Sequence, residues 1–341
     1  MTAQQYSAMP LKEIFNREAS IAHLNFPEVL SKLVVINAGE SVYVSEAAVN
    51  ALTKKLSIIK HFLNKGKILT LGKVLEYVDN SLKSDRTAAA FFKVNYQQSG
   101  LKIIGLKDFS TRNGSKNYTN KMYSIDAYNH EIGHLLVKNG VAYSGNFYEQ
   151  HIAECAADAF SALRHIQLFG KETDFFKYAN YSHAIVEGFS PIHYMDIVLQ
   201  KIEAVSKEQD ISALSFKDTV KLAGEIAKEY HLSEDTLDTI TAAFVSVAAL
   251  NGQGNKIQAT ECYKVMQQYK NDHDIYRAGK RYLEIPAVKN CIDMAEPFWV
   301  DAFKDMEQFE KSSGIILNLA KALDAERAVI SKTAPIRKQE L

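Results

Sequence analysis

The sequence predicts a mainly helical α+β protein, and three observations carry that prediction. From about Met122 almost to the end, apolar residues recur at helical spacing, with capping residues at several starts and glycines at several stops. Two short β-like runs, 89–96 and 101–106, flank the turn Gln97-Gln98-Ser99-Gly100 and read as a hairpin. That hairpin lies directly ahead of the most informative helix, so a small sheet is expected to precede it.

Taken in order, the first forty residues mix short apolar runs with polar breaks and define no clear element. Ser45 suits an N-cap for a helix to about Asn64, closed by Gly66, and a second helix is expected over 71–82. After the hairpin, residues 110–120 are rich in Ser, Asn, Gly and Lys and read as a loop. A helix then runs from about Met122 to Asn139 with Gly140 as its stop. The next spans about Phe147 to Phe169 and stops at Gly170. Further starts fall at Ser190-Pro191, Ser215, Ser233 and Glu296. The polar residues from Val329 onward are expected to fray. The expected organisation is a region over 1–206, with its functional residues in 122–170, and a helical C-terminal lobe over 207–341. No proline-rich or glycine-rich linker marks the boundary, so one continuous domain is the alternative.

Composition excludes several classes. The 341 residues are 47% hydrophobic and 23% charged, ordinary for a globular protein. Lys plus Arg equals Asp plus Glu at 40 each, so no net field invites nucleic acid or an anionic membrane. The longest apolar stretch, 242–250 with Ser246 inside it, is too short to span a bilayer. Cys155, Cys262 and Cys291 form no disulfide framework and fit a reducing compartment. The polar start, Met1 to Pro10, has no signal-peptide pattern, so the expectation is a cytoplasmic protein. The polar tail from Val329 to Leu341 suggests export by a specialised secretion system as an alternative. The sequons at Asn113, Asn117 and Asn180 mark polar loops.

The chemistry concentrates in His130-Glu131-Ile132-Gly133-His134, an HExxH pentapeptide. On a helix, residues four apart share a face, so both imidazoles can grip one metal ion. Glu131 projects about 100° around the helix, off the metal but within reach of a water there. A third ligand stands at a workable distance: Glu154 lies twenty residues after His134, and Asp158 follows it by four on a helical pattern. One carboxylate can ligate while the other accepts the free N–H of a ligating imidazole.

On these residues the chain resembles the gluzincins, the thermolysin-like metallopeptidases whose pattern is HExxH, a loop, then ExxxD on a second helix. The resemblance covers about thirty residues. It implies one zinc ion held by His130, His134 and Glu154, with Glu131 as general base and Asp158 orienting a histidine. The fold it implies is zincin-like, with a sheet strand whose free edge would hold extended peptide. The metzincin pattern fails, because Val137 and Gly140 stand where it needs glycine and histidine. A ferritin-like di-metal site fails too, because only one Glu-x-x-His pair occurs.

Hydrolysis at a carbonyl also needs an oxyanion donor. Tyr143, Tyr148, His183 and His193 are the candidates. His193 is preferred, because it follows Gly188 and sits at an expected helix start. His151 and His165 share a stripe with Glu154 and Asp158. They are read as buried hydrogen-bonding groups, with metal ligation by His151 as the lesser reading. His23, His61, His231 and His273 carry no local pattern. The expected function is therefore a zinc-dependent endopeptidase acting on protein or peptide. The alternatives are a zinc hydrolase of a non-peptide substrate, or a non-catalytic helical binding protein with a structural zinc site.

Overall fold

The computed structural model describes residues 3–37, 40–54, 89–92, 101–106, 117–138, 146–176, 191–250, 253–284 and 286–314. Among them the chain is mainly helical with one small sheet, the α+β class the sequence predicts. Contacts gather the chain into two compact units assembled from interleaved stretches. The first comprises Met1–Val141, Ala156–Phe175 and Gln209–Glu225; the second comprises Ala142–Cys155, Phe176–Glu208 and Ile226–Leu341.

The first unit holds the sheet. Strands β1 (Leu33–Asn37), β2 (Glu40–Val44), β3 (Ala89–Phe92) and β4 (Lys102–Leu106) lie in the order β2-β1-β4-β3. The expected hairpin is present as the antiparallel β3–β4 pair, in register from Ala89 opposite Leu106 to Phe92 opposite Ile103. The sheet is larger than that hairpin. A second antiparallel pair, β1–β2, joins it through parallel pairing of β1 with β4.

Helices α1 (Ala3–Ala8), α2 (Leu11–Asn25) and α3 (Pro27–Leu30) precede the sheet. Two features hid this region from sequence reading. Leu33 to Ile36 is a continuous apolar run, wholly buried, without the alternation that marks a half-exposed strand. The buried stripe of α2 (Ile14, Phe15, Glu18, Ala19, Ala22) contains a carboxylate that breaks the apolar pattern. Glu18 is tolerated there because Arg164 pairs with it and the Tyr6 hydroxyl donates to it at 3.0 Å. Ser45 caps α4 (Glu46–Lys54) as expected, its Oγ accepting from the Ala48 N–H at 3.2 Å. The rest of that helix, the expected helix at 71–82 and the loop at 110–116 lie outside the described residues.

Helix α5 (Asn120–Leu136) carries the HExxH residues and packs on β3, β4 and α2. Thr119 caps it by accepting from the Met122 N–H. It ends three residues before the expected Asn139, because Val137 turns to extended geometry (φ −82°, ψ 138°). That turn buries Val137, whose Cγ1 lies 3.5 Å from where a Cβ on Gly224 would stand. Helix α6 (Phe147–Phe169) has its expected bounds. Asn146 accepts from the Tyr148 and Glu149 N–H groups at its start, and Gly170 follows it at φ 85°. The division between the two units falls within α6, between Cys155 and Ala156, but the helix itself is unbroken.

Beyond α6 come α7 (Asp196–Glu208), α8 (Phe216–Glu229), α9 (Glu234–Ala249), α10 (Asn255–Gln268), α11 (His273–Glu284), α12 (Pro286–Lys289) and α13 (Pro297–Ser313). Ser215, Ser233 and Glu296 stand immediately before α8, α9 and α13, as expected. In the second unit α9, α10 and α11 pack closely, and a side chain at Gly279 would collide with Met266 and Phe244. Asp196 at the start of α7 accepts both arms of Arg281, at 2.7 and 2.9 Å. Cys155 and Cys262 are buried and Cys291 is exposed, all three as thiols. Among the described residues no helix is long and apolar enough to cross a membrane.

Candidate metal centre

Helix α5 presents His130 and His134 on one face, one turn apart. Their Nε2 atoms approach to 3.2 Å with the rings perpendicular. The cause is visible on the far side of His130. Its Nδ1 lies 2.5 Å from Asp158 Oδ1, so Nδ1–H donates to the carboxylate and the Nε2 lone pair faces His134. Asp158 is buried and His130 is only partly exposed, so little water competes for this bond.

Gly133 makes this meeting possible. A Cβ there would stand 2.9 Å from Ala157 Cα and 3.0 Å from its carbonyl oxygen. The glycine inside the pentapeptide therefore lets α5 and α6 cross at backbone contact, one residue from Asp158. Sequence reading missed this role. The signal available was a helical glycine in one segment and the small pair Ala156-Ala157 in the other.

Glu154 sits one turn before Asp158 on the same helix. One of its carboxylate oxygens and one ring nitrogen from each of His130 and His134 all lie within 4.8 Å of one another. All three residues are partly exposed, so an ion has access. The donor set suits zinc. Two nitrogens at zinc–ligand distance in a tetrahedron stand about 3.3 Å apart, close to the imidazole separation here. Two histidines and a carboxylate leave a fourth position open, as catalytic rather than structural zinc sites do. Among the described residues this is the single such group. Glu131, next to His130 in the chain, is buried at 6% exposure and stands outside the three-residue cluster.

His193 comes close to this group. Its Nδ1 lies 3.6 Å from Glu154 Oε2, with the imidazole about one-third exposed at 35%. It does not start an α-helix, as the sequence suggested, but ends a single 3-10 turn, Pro191–His193, and α7 begins only at Asp196. Tyr148 is engaged elsewhere, its hydroxyl 3.5 Å from His231 Nδ1. Tyr143 and His183 lie outside the described residues.

His151 and His165 are buried hydrogen-bonding groups, as their stripe suggested. His151 Nδ1 lies 3.1 Å from the Ile192 carbonyl oxygen, and its Nε2 accepts from the Leu232 N–H at 3.0 Å. With both nitrogens occupied it has no lone pair for a metal. Burial lowers its pKa to about 4, so it is neutral at physiological pH. His165 Nδ1 lies 2.9 Å from Asp126, whose carboxyl burial pushes upward against the pull of His165. Asp126 was not singled out from sequence. Its signal was its place four residues before His130, on the same helical stripe.

Comparison with protein-family models, with curated proteins and with solved structures finds no match to this chain.

Proposed function

We propose that this chain is a zinc-dependent endopeptidase of the thermolysin-like, gluzincin type, with a zincin-like arrangement of sheet and metal helix. The observation that carries the reading is the convergence of His130, His134 and Glu154, with His130 backed by Asp158 and Glu131 adjacent in the chain. These three residues would hold one zinc ion per chain. When bound, the ion supplies Lewis acidity toward a carbonyl oxygen and lowers the pKa of a coordinated water.

The remaining chemistry belongs to the chain's own groups. Glu131 takes a proton from the attacking water and passes it to the leaving amine as the peptide bond breaks. Its burial keeps bulk water from competing for that proton. Asp158 holds His130 in the tautomer that leaves Nε2 as the ligand atom. His193, whose Nδ1 lies beside Glu154, is the candidate donor to the oxygen that gains negative charge, a role that requires both of its ring nitrogens to carry protons. Among the described residues strand β3 ends the sheet order, so extended peptide can add along its outer edge.

Elemental analysis of the purified protein tests the metal. One zinc per chain, lost in Glu154→Ala, supports the site; no zinc after reconstitution removes it. Digestion of a peptide library tests the reaction. Glu131→Gln is expected to keep its zinc while cleavage falls by at least about a hundredfold, the lower range for a general base. Full cleavage by that variant would overturn the assignment.

A further inference from the structure

Behind the His130–Asp158 pair stands a second pair of the same two residue types, with the helices exchanged. Asp126 is on α5, four residues before His130; His165 is on α6, seven residues after Asp158. His165 Nδ1 lies 3.0 and 2.9 Å from the two Asp126 oxygens. The two pairs advance in opposite directions along the helices, as an antiparallel crossing requires. The close contact at Gly133 and Ala157 continues the same line.

The second rung is fixed from every side. The Tyr118 hydroxyl donates to Asp126 Oδ2 at 2.9 Å, and the Ser161 hydroxyl donates to the Asp126 carbonyl oxygen at 2.9 Å. His165 Nε2 lies 2.6 Å from Thr173 Oγ1, and the ring stacks on Phe175 at 4.3 Å. His165 is wholly buried and Asp126 is 5% exposed. A buried hydrogen-bonded polar pair adds little net stability over apolar side chains of the same volume, but it can be satisfied in only one arrangement. Turning α5 by one residue, about 100°, would strand Asp126 and His165 alike.

We propose that Asp126 and His165 are positioning residues for the metal centre, holding α5 at the rotation where His130 meets Asp158. The inference rests on the reading of His130 as a metal ligand. The pair touches neither metal nor substrate and acts through the helix.

Cobalt(II) binding to the full chain tests it, using two substitutions that remove the same ring. His165→Asn keeps an N–H donor where Nδ1 stands, toward Asp126. His165→Gln keeps one where Nε2 stands, toward Thr173. His165→Asn is expected to stay within about threefold of wild-type affinity with an unchanged visible absorption spectrum. His165→Gln is expected to bind about tenfold more weakly with a shifted spectrum, the size of effect seen for groups behind a ligand. Equal weakening of both variants, or wild-type affinity in both, would overturn the proposal. Should neither fold, Tyr118→Phe removes one bond to Asp126 and leaves its ring in place. It is then expected to weaken cobalt binding about threefold, and unchanged affinity would overturn the idea. Absence of cobalt binding by the wild type would instead remove the metal reading beneath it.

Discussion

His130 and His151 are the same residue type on adjoining helices, and their partners give them opposite capacities. His130 meets a carboxylate at Nδ1, which leaves Nε2 with its lone pair turned toward His134. His151 meets a backbone carbonyl at one nitrogen and a backbone N–H at the other, so neither remains for an ion. One is partly exposed beside an anion; the other is wholly buried and bonded to backbone groups. The lesson is that a histidine's ability to bind metal depends on what its second nitrogen touches. Its place on a stripe does not settle the matter.

Removing each ring in turn is expected to give the largest difference between the two histidines. Structural zinc sites bind with roughly 10–16 kcal/mol over four ligands, so losing one costs about a hundredfold or more in affinity. His130→Ala is expected to lose zinc by that factor in chelator competition. His151→Phe should retain it within about threefold, since that ring serves the backbone. Equal losses would mean that His151 belongs to the metal centre after all.

The next effect separates the two by pH. The folded pKa of His151, about 4, lies below its ordinary value of 6.5. Between those values the unfolded chain holds the extra proton. Stability from the neutral ring is therefore present above about pH 6.5 and lost as pH falls toward 4, by about 3 kcal/mol at most. Burial outweighs the opposing bond to the Ile192 carbonyl, and His231, Glu154 and His193 are the titratable groups that act on the ring. Urea denaturation of wild type and His151→Phe at pH 7 and pH 4.5 should show the stability difference shrinking with acid. A constant difference would sink this account.

Gly133→Ala acts at the helix crossing that brings His130 to Asp158. The added methyl meets Ala157 backbone, which cannot move as a side-chain tip would. Overpacking of this kind costs about 1–3 kcal/mol. A lowered unfolding midpoint, together with weaker zinc binding, is expected. Wild-type values for both would show that the helices part without consequence.

Much of the site was legible along the chain because its residues are close in sequence and lie on two regular helices. Periodicity alone put His130 beside His134 and Glu154 beside Asp158, and the α6 boundaries followed from its composition. The β3–β4 pair was legible through two β-like runs and the Gln97-Gln98-Ser99-Gly100 turn between them. Strand β1 was not, because its wholly buried run from Leu33 to Ile36 has no alternation to read. Asp126 and His165 stand 39 residues apart, and no local pattern joins them.

Composition and helical spacing along the chain set the helical class and the chemical identity of the candidate ligands. They also set, through fixed helical geometry, which residues share a face. Packing between the segments set which histidine receives a carboxylate and which receives backbone. It also decided that Gly133 is a crossing point and that His193 comes beside Glu154. Those outcomes depend on packing between segments distant in sequence. There, burial and hydrogen-bond partners fix a side chain's tautomer, charge and reach.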